Sequence, residues 1–208
     1  DDIHVVRRVW ATQALNRLDI GLAKQLTQSK SHKARAAGLR AIYYDAPNSK
    51  YKNILSIAEE AVSDPSPHVR LSGVSLLAQL DSPKTVAIAL RALEGVEVDD
   101  FLDFAVWSIC REHRDRWVNE MKSKGENPFA NLSQLLFASS AIGEPMGADQ
   151  ILSSVESGKI KDDRKVWEVA NWMANEGSPN HLEKLLNLAT KSSSVSRQHA
   201  YLNALLNA

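Results

Sequence analysis

The chain has a single cysteine, Cys110, in 208 residues. No internal disulfide can therefore form, and thiol usage leaves the compartment open. No apolar run approaches the ~18 residues that a membrane-spanning helix requires. An excess of charge is also missing: 25 Lys and Arg balance 25 Asp and Glu, for a formal net charge of zero. Nucleic-acid binders draw affinity from neutralised phosphates and carry a basic excess, so the composition argues against DNA or RNA as partner. There is no P-loop, no nucleophile elbow and no C-x-x-C-H haem-attachment signature, and no spacing of Ser, His and Asp singles out a triad. The reading is of a non-enzyme with no catalytic, cofactor-binding or metal-binding residue. The chain opens Asp1-Asp2-Ile3-His4 with neither an initiator Met nor a signal peptide, and is expected to be a segment of something longer.

What is present is helical patterning, clearest from Asp64 to Leu93. Ser66 is placed to cap a helix that begins at Pro67, since a hydroxyl can accept a free first-turn N–H and proline has none to waste. Val69, Gly73, Leu76, Leu77 and Leu80 then share one face. Leu71, Val74 and Ala78 form a second apolar stripe, leaving Ser72, Ser75 and Gln79 for water. A helix apolar on two sides must be covered on two sides. Ser82 and Pro83 repeat the start signal for a second helix.

The pattern recurs. Arg35-Ala-Ala-Gly38-Leu39-Arg-Ala-Ile42 lies over Arg70-Leu-Ser-Gly73-Val74-Ser-Leu-Leu77 at a spacing of 35 residues. Such self-similarity is the mark of a repeat architecture. Arg197-Gln-His-Ala200-Tyr201 fits the frame with alanine for glycine. Arg7-Arg-Val-Trp10 and Arg164-Lys-Val-Trp167 fit it less well, with tryptophan at the small position. The expected architecture is all-α, with six helix pairs (2–29, 31–63, 66–94, 99–124, 129–157, 162–190) and a lone helix near 194–207. All seven prolines fall between helices or in first turns, and Asn180 to Glu183 reads as a capping box. Gly38 and Gly73 sit in helix interiors, where glycine costs about 1 kcal/mol against alanine. Their shared register predicts close approach of a neighbouring helix. The acidic stretch Glu94, Glu97, Asp99, Asp100, Asp103 opens a helix and the basic stretch Arg111 to Lys124 lies near helix ends, as the helix dipole favours.

At Asp64-Pro-Ser-Pro-His-Val-Arg70 the chain resembles a HEAT repeat. The resemblance implies a right-handed α-α superhelix, a solenoid spanning 1–208 as one repeat domain, with Asp and Arg six residues apart stacking into ladders. Asp64 and Arg70 match that pattern. Arg35 has Ser29 in place of the aspartate, and Arg197 has Lys191. The runs V-R-L-S-G-V-S-L-L, T-V-A-I-A-L-R-A-L and D-D-F-L-D-F-A-V-W are further similar to HEAT segments of large secreted planctomycete-type proteins. Those place the repeats between a propeller-like dehydrogenase domain and a c-type haem domain, which implies an extracytoplasmic location. The implied role is a scaffold for other proteins or for neighbouring domains of the same polypeptide. The competing reading is a HEAT-like enzyme such as a DNA glycosylase, against which stand the zero net charge and the lack of a basic stripe.

Candidate residues follow. Cys110 and His113 stand at i and i+3, close enough to share a metal, but a lone helical cysteine is more simply a small core residue. His4 and His32 read as exposed first-turn histidines. Most of the five tryptophans should be core. Trp107 is the exception to watch: Leu102, Ala105, Val106 and Ile109 form a buried stripe, while Asp103, Trp107, Cys110 and Arg114 fall opposite. An aromatic there can anchor a partner or pack on the adjacent repeat. Second helices usually line the concave side of such stacks, which puts Lys24, Gln28, Lys84, Arg91, Asn119, Lys122, Lys184 and Asn187 on a candidate partner surface. The last helix carries Tyr201, Leu202, Leu205 and Leu206 with no helix after it, so the parent protein is expected to continue and cover that stripe.

Overall fold

Capping side chains set where several helices begin. Asp19 accepts the Leu22 amide at 3.1 Å, Asp99 that of Leu102 at 2.8 Å and Asn131 that of Gln134 at 3.0 Å. Each satisfies an N–H that a first turn leaves without an intrahelical partner. In the computed structural model, which describes residues 2–45, 53–95, 98–124 and 127–208, every regular element is helical. The helices are α1 (Asp2–Ala14), α2 (Ile20–Thr27), α3 (His32–Asp45), α4 (Ile54–Ala61), α5 (Pro67–Ala78), α6 (Thr85–Leu90), α7 (Asp100–Glu112), α8 (Arg114–Lys124), α9 (Leu132–Ile142), α10 (Ala148–Glu156), α11 (Asp163–Glu176), α12 (Pro179–Lys191) and α13 (Val195–Leu206). A 3-10 turn, Arg91–Leu93, extends α6. No strand occurs among the described residues, and no helix there is long and apolar enough to cross a membrane. The helices fall within the spans that the periodicity predicts, α12 running one residue past its span. Pro47 and Glu97 lie outside the described residues.

The helices form two compact units, Asp1–Pro128 and Phe129–Ala208. In the first, α1 packs on α3, α3 on α5 and α5 on α7, while α2 lies against α1 and α3, α4 against α5, and α6 against α5 and α7. Its core includes Leu26, Leu39, Ile42, Leu76, Leu77, Leu102, Ile109 and Trp117, all almost completely buried. In the second unit α11 packs on α9 and α13, and α12 on α10, α11 and α13, around Leu152, Met173 and Leu185.

Five details differ from the sequence expectation. Ser66 occupies the N-cap position of α5 but its hydroxyl makes no capping bond; Asp64 takes the turn instead, accepting the Ser66 amide at 2.8 Å. The Ser82–Pro83 signal sits two residues early: Ser82 Oγ accepts the Lys84 amide, and α6 begins at Thr85. At α12 the box starts two residues upstream of Asn180, with the Ser178 amide donating to His181 Nδ1 at 3.1 Å. The tryptophans are not mostly core. Trp117 and Trp172 are buried, but Trp10, Trp107 and Trp167 are exposed, so tryptophan at the small position of the frame, Trp10 and Trp167, marks a helix face that the described residues leave partly open. Within α13, Tyr201 is buried while Leu202 and Leu206 are exposed, which divides its apolar residues between two faces.

Gly38 and Gly73 lie where a second helix passes. A Cβ on Gly38 would stand 2.6 Å from the Ala23 carbonyl oxygen and 2.8 Å from Leu26 Cβ, both on α2. A Cβ on Gly73 would stand 2.8 Å from Ala61 Cβ and 3.1 Å from the Val62 nitrogen, at the end of α4. Favourable carbon contacts lie at about 3.5–4.0 Å, so both glycines are set by packing. Gly73→Ala gains about 1 kcal/mol of helix propensity but must push two helices apart. The net expectation is a loss of about 1–2 kcal/mol in urea unfolding, larger for Gly38→Ala, where the obstacle is backbone. Unchanged midpoints would remove the packing explanation.

Among the described residues, two buried polar atoms of the second unit, Ser139 Oγ and Trp172 Nε1, find no hydrogen-bond partner. Leaving a buried hydroxyl unsatisfied costs about 1–3 kcal/mol. Ser139→Ala is therefore expected to hold or raise the melting temperature, and a clear drop would show that the hydroxyl has a partner.

Candidate functional site

Arginines of the repeat frame tie successive turns together. Arg35, on α3, holds the Asp64 carboxylate with both ends of its fork, Nε to Oδ2 at 2.7 Å and Nη2 to Oδ1 at 2.8 Å, while Nη1 donates to the carbonyls of Ser29 and Lys30. The turn before α3 is thereby joined to the turn before α5. Arg70 repeats the arrangement one step on: it donates to the Asp64 carbonyl and, through Nη1, to the carbonyls of Ala92 and Glu94 at 2.9 and 2.7 Å. It is 7 % exposed, and a guanidinium can be buried there because each carbonyl offers it a partner. Asp64 and Arg70 thus meet through the backbone, and the carboxylate itself goes to Arg35. Ser29 performs half of the aspartate's work: its Oγ accepts the Ser31 amide at 3.0 Å as Asp64 accepts that of Ser66.

Arg197 differs in sense. It reaches back to Asp163 Oδ1 and the Lys161 carbonyl, each at 2.9 Å, not to the residue six before it. The serine turn there is made by Ser192, whose Oγ accepts the Ser194 amide, one place off the frame of Ser29 and Asp64. Burial pushes the Asp64 pKa up, but the hydrogen bonds from Arg35 and the Ser66 amide, with the charges of Arg35 and Arg70, outweigh it and hold the carboxyl below its ordinary value.

Cys110 and His113 are both consumed by structure. The thiol is fully buried, and burial pushes its pKa up to about 12. Cys110 does not share an open face with Trp107: it is fully buried, and the buried Trp117 of α8 donates its indole N–H to the Cys110 carbonyl at 3.0 Å. His113 is buried at the α7–α8 corner. Burial and the Arg116 charge hold it below its ordinary pKa, a hydrogen bond to the Ala78 backbone working against them. Its Nδ1 lies 3.1 Å from the Arg116 guanidinium, which also pairs with Asp81 at 2.8 Å. No group of three or more His, Cys, Asp or Glu that could hold a metal occurs among the described residues.

The second-helix residues divide. Arg91 pairs with Glu59 at 2.6 Å, Lys184 with Asp149 at 2.7 Å, and Gln28 donates to Glu60; these side chains link neighbouring second helices. Lys84 and Lys122 are exposed and make no ion pair with a described residue.

The aromatic residues of α7 form the more distinctive surface. Leu102, Val106 and Ile109 bury the inner face, as periodicity predicts. The outer face carries Phe101 at 77 %, Phe104 at 65 % and Trp107 at 36 % exposure. Phe104 and Trp107 stack with ring centroids 5.7 Å apart and planes 18° apart, and the Arg111 guanidinium lies 4.7 Å from the Trp107 centroid. The reading from sequence named Trp107 and missed Phe101 and Phe104, although their three-residue spacing was a signal. Large exposed apolar patches are rare on monomers unless they meet something, and an aromatic cluster with an arginine has the composition of an interface hot spot.

The Arg35–Asp64 pair generates a prediction with a pH signature. Their side chains are 17 % and 11 % exposed, so Asp64→Asn should cost about 2 kcal/mol at pH 7 by weakening two charge-assisted bonds. The folded pKa of Asp64 is lowered, so its contribution is complete above the unfolded carboxyl value of about 3.9 and fades as pH falls through the lower folded value. The deficit of the variant should accordingly shrink below about pH 4 in denaturant titrations. A deficit independent of pH would exclude the ion pair as its source. Comparison of the chain with protein-family models, with curated proteins and with solved structures returned no match.

Proposed function

We propose that the chain is a non-catalytic HEAT-type solenoid that holds a protein or a neighbouring domain of its own polypeptide. The support is a repeat frame in which arginines join successive turns, together with glycines that let second helices approach closely. The observation that carries the interaction is the outer face of α7, where Phe101, Phe104 and Trp107 stay in solvent although the helix already buries an apolar stripe. In a solenoid each repeat touches only its neighbours, which leaves long surfaces free for large partners. On this reading the principal contact lies on a first helix, and Lys84 and Lys122 supply a secondary, polar surface.

Benzoylphenylalanine placed at Phe101 should crosslink in the native host to one discrete protein or domain. Phe104→Ser with Trp107→Ser should abolish that adduct and leave the melting temperature within a few degrees, since both side chains are surface groups. The absence of a discrete adduct, or an adduct that survives the double variant, would defeat the proposal.

A further inference from the structure

A second surface lies on α1, α3 and α5, and the repeat frame creates it. The space between the helix axes is lined mainly by small side chains, the buried Ala36 and half-buried Ala37 on α3 and Ser72 and Ser75 on α5 beside Leu71, the two serines standing 35 residues after Ala37 and Arg40. With little bulk between the axes, a groove of about 490 Å³ opens, within the usual range of ligand sites. Its edges are built of larger groups. Trp10 is 56 % and Tyr44 is 53 % exposed, and Tyr43 meets Tyr44 edge-on at 5.1 Å. Arg40 lies 5.9 Å from the Tyr44 ring centroid.

The charge of this groove departs from that of the chain. The whole sequence balances acid and base, yet Lys33, Arg40 and His68 line the groove and no carboxylate does so among the described residues. Lys33 and Arg40 form no ion pair with a described residue, and the Trp10 indole N–H and the two tyrosine hydroxyls make no hydrogen bond there. The edges therefore present uncommitted donors and cations above a small apolar floor.

We propose that this groove binds an acidic peptide segment, seating one aromatic or aliphatic side chain against Trp10 and Tyr43 and directing its carboxylates to Arg40 and Lys33. The guanidinium accepts a carboxylate bidentately, and the aromatic walls supply the desolvated contact that gives such an interface most of its energy. A single-stranded nucleic acid would also stack on aromatics, but its affinity depends on a track of cations. Among the described lining residues the permanent cations are two and the chain is neutral, so a carboxylate-bearing peptide is the better complement.

The site is separate from the α7 face, and the experiment keeps the two apart. Fluorescein-labelled glutamate-rich peptides carrying one tryptophan, phenylalanine or leucine are titrated with the 208-residue chain, followed by anisotropy. Binding should saturate, fall at least about tenfold (about 1.4 kcal/mol) with Arg40→Glu or Trp10→Ala, and be unaffected by the Phe104→Ser, Trp107→Ser double variant. Lysine-for-glutamate versions of the peptides should bind the parent chain poorly and regain affinity for Arg40→Glu, which a merely misfolded variant would not show. No saturable binding by any of the glutamate peptides, equal binding of both peptide charges, or indifference to Arg40→Glu and Trp10→Ala would overturn the proposal. Preferential binding of oligothymidine over the peptides would replace the peptide with nucleic acid and overturn it too.

Discussion

Arg35, Asp64 and Arg70 hold together what hydrophobic packing alone leaves loose. Turns between helices expose backbone carbonyls, and each must find a donor or water. Arg35 meets the turn before its own helix through Ser29 and Lys30 and the following turn through Asp64. Arg70 does the same between Asp64 and the carbonyls of Ala92 and Glu94. The guanidinium fork suits this task because its donors lie in one rigid plane and its charge is permanent, whereas an ammonium is a compact, strongly hydrated point charge. Once the turns are fixed at this spacing, the first helices must lie side by side, and the second helices must pass within reach of Gly38 and Gly73.

Close approach at the glycines has its counterpart on the opposite side of the same helices. The inner face of α5 meets α4 at Gly73 with no room for a methyl group, and its outer face carries only serines, Leu71 and His68 toward the groove. The helix is covered unevenly, and the uneven cover makes the surface features. On α7 the outer face is aromatic and stands out; between α3 and α5 it is small and recedes. Polar links between second helices, Glu59 with Arg91 and Gln28 with Glu60, are exposed pairs of the kind that contributes little stability, about 0–1 kcal/mol each. They align neighbours more than they hold them.

Periodicity, proline placement and the recurring Arg-x-x-Gly determined the all-helical class, the pairing of helices and their approximate bounds. These features are local: a period near 3.6 residues and a proline at a first turn act within a few residues. The shared register of Gly38 and Gly73 also told of a close helix, because a costly residue repeated in a helix interior calls for a steric reason. Capping was less legible. Ser66, Ser82 and Asn180 are all competent caps, and the choice among neighbouring polar side chains rests on backbone angles at each turn, which composition does not reveal.

Only the tertiary structure decided which residues share a site. Arg35 meets Asp64 across a whole helix pair, and Arg197 turns back to Asp163, because the partner of a long side chain is set by how turns stack and not by its distance along the chain. The tryptophans teach the same lesson: Trp117 and Trp172 are buried and Trp10, Trp107 and Trp167 are not, since bulk alone does not say which faces a neighbour covers. Cys110 has no place on an open stripe because it is fully buried, with the Trp117 indole bonded to its carbonyl. The sequence by itself determined the helices and their period, while burial, ion pairing and the exposed aromatic face followed from which helix faces the packing left open.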